Sequence, residues 1–202
     1  MEIVVALDDK TCDACTKGLA DLPIHVVRFT SNGVSENGYR VIRYVKSDFA
    51  LMLADDEIPS EPLWDFAQHP PQPARYGVPI VPILGDKMMT GHTGIQERLI
   101  WVDGWRWVGR EVDGKHTLFE GHSEADTPLI PLLVDTPTGR ANTGMVIWHY
   151  LLEAPREERE AKAARYKRAD PYGDHESRLF YEDRDCLEPI PEDLKRLLPA
   201  EK

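Results

Sequence analysis

Cys12 and Cys15, in "DDKTCDACTKG", are separated by two residues, a spacing that lets one helical turn bring two sulfurs together. At a helix N-terminus the first thiol faces free backbone N–H groups and the positive end of the dipole. Both favour the thiolate, the species that attacks a disulfide. On that reading Cys12 is the nucleophile and Cys15 the resolving thiol. Two alternatives stay open: a structural or incidental pair, and half of a metal site. A zinc site needs two more ligands. His116 and His122 have a roughly finger-like spacing, but they lie far along the chain beside a predicted strand and turn, so no metal is expected. Cys186 reads as a lone thiol.

Other polar groupings give weaker chemistry. Asp55, Asp56 and Glu57 read as a solvated acidic surface at a helix end. "TGHTG" and "TPTGRANTG" lack the GxxxxGK[ST] spacing of a phosphate loop and read as turns and caps. Trp101, Trp105 and Trp107 alternate with other residues across a turn, a pattern of cross-strand packing.

A second stretch bears on the cysteines. "YGVPIVPILGDKMMTGH" (76–92) has a Tyr-Gly-Val entry, a Val81-Pro82 step, Gly-Asp-Lys and then Gly91. Together with the CxxC, this resembles the thioredoxin and glutaredoxin superfamily, and Thr11 before the first cysteine is closer to glutaredoxins. The resemblance covers residues 1–100. It implies a cis Pro82 packed on the active disulfide and Val81 offering its backbone to a bound peptide or thiol. It also implies Thr11 and Tyr76 beside the substrate, Gly91 near the close of a hairpin, and "GIQERLI" at the start of the last helix. The stretch between Cys15 and Pro82 is longer than the family's, and the excess is assigned to an insertion around 31–65. "PIVPILGD" is echoed by "PLIPLLVD" (128–135), where no cysteine is near.

The elements that must position these residues follow from pattern. "EIVVAL" (2–7) and "IHVVRF" (24–29) read as strands flanking the CxxC, and "YRVIRYV" (39–45) as a third. "SDFALMLADDEI" (47–58) reads as a helix capped by Ser47, and "SEPLWDFAQ" as a short helical piece. "HPPQPA" is a stiff loop and "VPIVPIL" a buried strand. Residues 95–100 suit a short helix. Residues 98–121 suit a β-meander with turns at Asp103-Gly104 and Asp113-Gly114. "TPLIPLLVD" (127–135) is extended, and "NTGMVIWHYLLE" (142–153) reads as a helix with Met145, Trp148, Leu151 and Leu152 near one face. After Pro155 the composition turns charged, and Glu158 and Lys162 are placed for helical support at i, i+4.

The expected fold is therefore α/β or α+β. A thioredoxin-like domain (1–100) precedes a β-meander with a packed helix (101–154) and a charged helical extension (155–202). The chain has 202 residues, 42% hydrophobic, enough for a core, and a net charge of −11, which argues against a nucleic-acid-coating protein. No basic n-region precedes "IVVAL", and no apolar stretch nears the roughly 20 residues that span a bilayer. Three cysteines are too few for a secreted disulfide scaffold, so the expected setting is a cytoplasm, or a virion assembled in one.

Two functions compete. The first is thiol–disulfide exchange with a protein or glutathione disulfide, needing no metal or organic cofactor. The second is a non-enzymatic assembly component, for example of a viral particle, forming homo- or hetero-oligomers through 155–202.

Overall fold

The computed structural model describes residues 2–8, 23–29, 41–89, 94–112, 115–136, 139–142, 144–169 and 187–198. The fold is mixed α/β and mostly strands, with few helices. In chain order the strands are β1 (Val4–Asp8), β2 (His25–Phe29), β3 (Phe49–Leu51), β4 (Glu57–Pro59), β5 (Arg75–Leu84), β6 (Lys87–Met89) and β7 (Gly94–Trp101). They continue as β8 (Arg106–Val112), β9 (Lys115–Glu124), β10 (Leu129–Pro131), β11 (Leu133–Thr136), β12 (Gly139–Asn142), β13 (Ile147–His149) and β14 (Leu187–Pro189). The helices are α1 (Glu61–Gln68), α2 (Arg156–Ala169) and α3 (Glu192–Lys195), with 3-10 turns at Val41–Tyr44 and Tyr150–Glu153.

The chain forms two compact units interleaved in sequence. One comprises Met1–Ala50, Trp101–Asp126 and Arg165–His175; the other comprises Leu51–Ile100, Thr127–Ala164 and Glu176–Lys202.

In the first unit β1 and β2 pair in parallel, Val4 opposite His25 through Asp8 opposite Phe29. The 3-10 turn at Val41–Tyr44 stands where a third strand was expected. Val45 N–H closes it on Ile42 O, and the Glu2 carboxylate accepts from Lys46 N–H just beyond. His25 and Tyr44 meet edge to face, as do Phe49 and Trp101, with centroids 5.9 and 5.0 Å apart. β8 and β9 form the expected hairpin, pinned by an Arg106–Glu124 ion pair. Gly104, at φ 72°, supplies the left-handed residue of the Asp103-Gly104 turn before it.

The second unit is built on β5. Nearly every residue of that strand is buried, so both its faces are covered, which fits its run of Val, Ile and Pro. The sheet order is β14–β6–β5–β13–β4. β10 and β13 lie parallel to β5, while β6 and β7 are antiparallel to it. One face of the sheet carries a core of Val81, Ile83, Val146, Trp148 and Ile190, on which Met88, Tyr150, Leu194, Leu197 and Leu198 pack. Trp148 is fully buried, and its Nε1 donates to Leu197 O at 3.0 Å. The described part of the C-terminal segment thus closes the core, with β14 paired to β6.

The strands at the two ends of the β14–β4 order are three residues long, and each contains a proline, Pro59 in β4 and Pro189 in β14. Ser60 N–H donates to Val146 O and Ile190 N–H to Asp86 O. The alternation of an antiparallel ladder therefore turns the backbones of Pro59 and Pro189 to the free side.

Three expected helices are strands instead. Residues 47–58 form β3 and β4. Between them Glu57 N–H bonds Ala54 O while the Glu57 carboxylate accepts from Ala54 N–H, a local closure that competes with a helix. Residues 95–100 lie in β7, which supplies β5 with a ladder neighbour from Gly94 to Ile100. Within 142–153, Val146, Ile147 and Trp148 are all 0% exposed, and β13 is followed by a 3-10 turn. A segment covered on every side shows no face, and its residues satisfy either period.

Ser60 joins α1 to the segment before β13. Its hydroxyl donates to Gly144 O (2.7 Å) and accepts from Val146 N (3.0 Å) and Leu63 N (3.4 Å), the last as the N-cap of α1. Gly144 turns there with φ 83°. Because Ser60 is completely buried, Ser60→Ala leaves these backbone groups without solvent to replace the hydroxyl. The expected loss is about 3 kcal/mol in urea denaturation, the sum of a cap and a buried polar defect. A loss under about 0.5 kcal/mol, the scale of a surface substitution, would contradict this role.

Candidate functional site

Thr11, Cys12 and Cys15 lie outside the described residues, as do Gly91 and Cys186. The strands on either side of the CxxC are described. β1 ends at Asp8 and β2 begins at His25, running parallel to it. A parallel pair cannot be joined by a two-residue hairpin, and residues 9–24 separate the two strands in sequence.

Tyr76, Val81 and Pro82 all stand on β5 in the second unit. Tyr76 is 2% exposed, its hydroxyl donates to Gln72 O at 2.9 Å, and its ring meets Phe66 edge to face at 5.0 Å. Burial pushes its phenol above the ordinary value. Val81 is 3% exposed and pairs with Trp148 of β13; Pro82 is opposite His149. Among the described residues no peptide bond is cis, so Val81–Pro82 is trans where the resemblance implied cis. The Val81 backbone lies in a sheet ladder and its side chain in the core.

A charged cluster that sequence reading assigned to solvent lies partly inside this unit. Glu57, with a side chain only 2% exposed, takes Arg98 Nη2 on its Oε1 at 2.5 Å. Next to it in sequence, Asp56 receives two nitrogens on one oxygen. Lys162 Nζ of α2 donates to Oδ2 at 3.0 Å, and His149 Nε2 of β13 lies 3.3 Å from the same atom. Tyr150 N–H reaches the Asp56 carbonyl at 2.8 Å, extending the β4–β13 ladder, which fixes Asp56 beside His149. Burial by itself would push the Asp56 carboxyl up, but the hydrogen bonds and charges of His149 and Lys162 outweigh it and hold the group well below the usual carboxylate range. Burial likewise raises the Tyr150 phenol, helped by the Glu153 charge.

His149 was not singled out in sequence. The available signal was a lone imidazole inside the apolar run "MVIWHYLL", where a buried polar ring needs a partner. The correction for Glu57 is physical as well: its carboxylate is nearly dry because Arg98, arriving from β7, neutralises it.

Among the described residues, no group of three or more His, Cys, Asp or Glu side chains could hold a metal ion. None of the described helices is long and apolar enough to cross a membrane. No protein-family model matches the chain, and no curated protein matches it.

Proposed function

We propose that the protein carries out thiol–disulfide exchange at Cys12 and Cys15. The observation that supports this reading is the parallel pairing of β1 and β2. Cys12 follows closely in sequence on Asp8, the last residue of β1. In open parallel sheets, ligands and chemistry gather beyond the carboxyl ends of the strands.

The Cys12 thiolate attacks one sulfur of a protein or glutathione disulfide. A mixed disulfide forms, and the partner's other sulfur leaves as a thiolate. Cys15, as thiolate, then attacks Cys12 Sγ, which frees the partner's second sulfur and leaves a Cys12–Cys15 disulfide. Two electrons have passed to the partner, and glutathione or a dithiol reductase restores the pair. Val81 and Pro82, the partner-holding residues that the resemblance implies, stand in the β5 ladder opposite Trp148 and His149.

A second reading is a non-enzymatic assembly component in which the CxxC is incidental. The trans, buried Val81–Pro82 step favours it, because that step was half of the resemblance to thiol oxidoreductases. Mass-spectrometric thiol trapping across a glutathione redox series separates the two. Exchange predicts a reversible two-electron transition, with Cys12 alkylating well below pH 8 and the transition lost in Cys12→Ser. Thiols that stay inert until the protein unfolds would sink the exchange reading and leave the assembly one.

A further inference from the structure

Helix α2 has an unusual anchor. Its sequence, "REEREAKAARYKRA", has almost no apolar stripe, yet Arg159 and Ala163, one turn apart, are buried at 5% and 0% exposure. Between them Lys162 reaches out of the helix to the Asp56 carboxylate. A helix with so little apolar surface gains less from packing, so the Lys162–Asp56 contact weighs more in holding it.

The Asp56 oxygen that holds Lys162 also faces His149 Nε2. The side chains of Asp56, His149 and Lys162 are between 14% and 24% exposed, so solvent screens their charges only in part. With His149 neutral, Asp56 presents its full negative charge to Lys162. With His149 protonated, it sees a carboxylate already neutralised by an imidazolium, at a distance set by the shared oxygen. The attraction that ties α2 to the sheet then largely cancels. Other charged groups on the adjoining elements do not reverse this sign. Glu57 on β4 is committed to Arg98 of β7, Glu153 follows β13 on the exposed side, and Arg159 of α2 adds further positive charge.

We propose that His149 is a proton-operated release for the first part of helix α2, residues 156–164. Protonation of the imidazole takes Asp56 away from Lys162 and loosens the helix from its sheet. Asp56 is held well below the usual carboxylate range and so keeps its charge in mildly acidic solution. The device is local to the second unit and independent of the thiol chemistry proposed above.

Hydrogen exchange followed by mass spectrometry on the full chain, at pH 7.5 and 5.5 and corrected for the intrinsic rate, reads it directly. Peptides covering 156–164 are expected to lose protection roughly tenfold at the lower pH, the scale of losing one charge-assisted hydrogen bond. His149→Gln, which keeps a donor without a titrating charge, should abolish the pH dependence. Lys162→Met should give weak protection at both pH values. Unchanged protection in the wild type would overturn the proposal, as would an equal pH-dependent loss in His149→Gln or in Lys162→Met.

Discussion

Trp148→Ala is expected to destabilise the second unit by about 4 kcal/mol, the range measured when a buried tryptophan is truncated. The ring is fully buried against Val81, Ile83, Val146 and Ile190, and its Nε1 bond ties the core to Leu197. Truncation opens a cavity and leaves the Leu197 carbonyl without that donor. Trp148→Phe separates the two contributions. It keeps most of the apolar volume, loses the hydrogen bond, and should cost roughly half as much. Urea denaturation followed by far-UV circular dichroism measures both. A cost for Trp148→Ala below about 1 kcal/mol, within the range of an ordinary surface change, would mean that the ring is not a core residue.

Ending the chain after Cys186 is expected to have a still larger effect. It removes β14 and the apolar side chains of Ile190, Leu194, Leu197 and Leu198 that cover one face of the sheet. At about 1.5–3 kcal/mol for each fully buried aliphatic side chain, and less for those only partly covered, the loss is on the order of 5 kcal/mol or more. That is comparable to the whole stability of an ordinary domain. The truncated chain should therefore lose its cooperative thermal transition and become sensitive to protease within β5 and β13. A truncated chain that melts like the full-length one and merely changes its oligomeric state would show that this segment serves assembly instead of folding. The same reasoning makes deletion of 156–202 a poor test of oligomerisation, since such a deletion also strips the core.

How far the sequence foretold this arrangement depended on whether a segment has one buried face or two. β1, β2, β5, α1 and the β8–β9 hairpin were legible. Their runs are short and bounded by turn residues, or capped, as Ser60 caps α1. Residues 142–153 were not. Met145, Trp148, Leu151 and Leu152 fit a helical stripe, yet Val146 and Ile147 between them are buried as completely as Trp148. Residues 47–58 misled for another reason: Glu57 folds back on Ala54, a contact between neighbours that no periodicity records. The interleaving of the two units depends on long-range packing and leaves no mark in composition.

The candidate sites divide in the same way. The CxxC was visible because its chemistry is written in adjacent residues. The Asp56–His149–Lys162 cluster was not, because β4, β13 and α2 bring together groups that are far apart in the chain. The Val81-Pro82 step, which carries part of the resemblance, stands in its folded setting within the β5–β13 ladder.

Pro59 and Pro189 have a consequence for how copies of this chain behave at high concentration. Cross-β growth needs an unprotected border where an incoming strand finds alternating donors and acceptors. At both ends of the β14–β4 order one outward position, Pro59 in β4 and Pro189 in β14, is an imide nitrogen with no hydrogen to donate. At those two strands an incoming strand would therefore miss one of the donors it needs, which disfavours templated addition there.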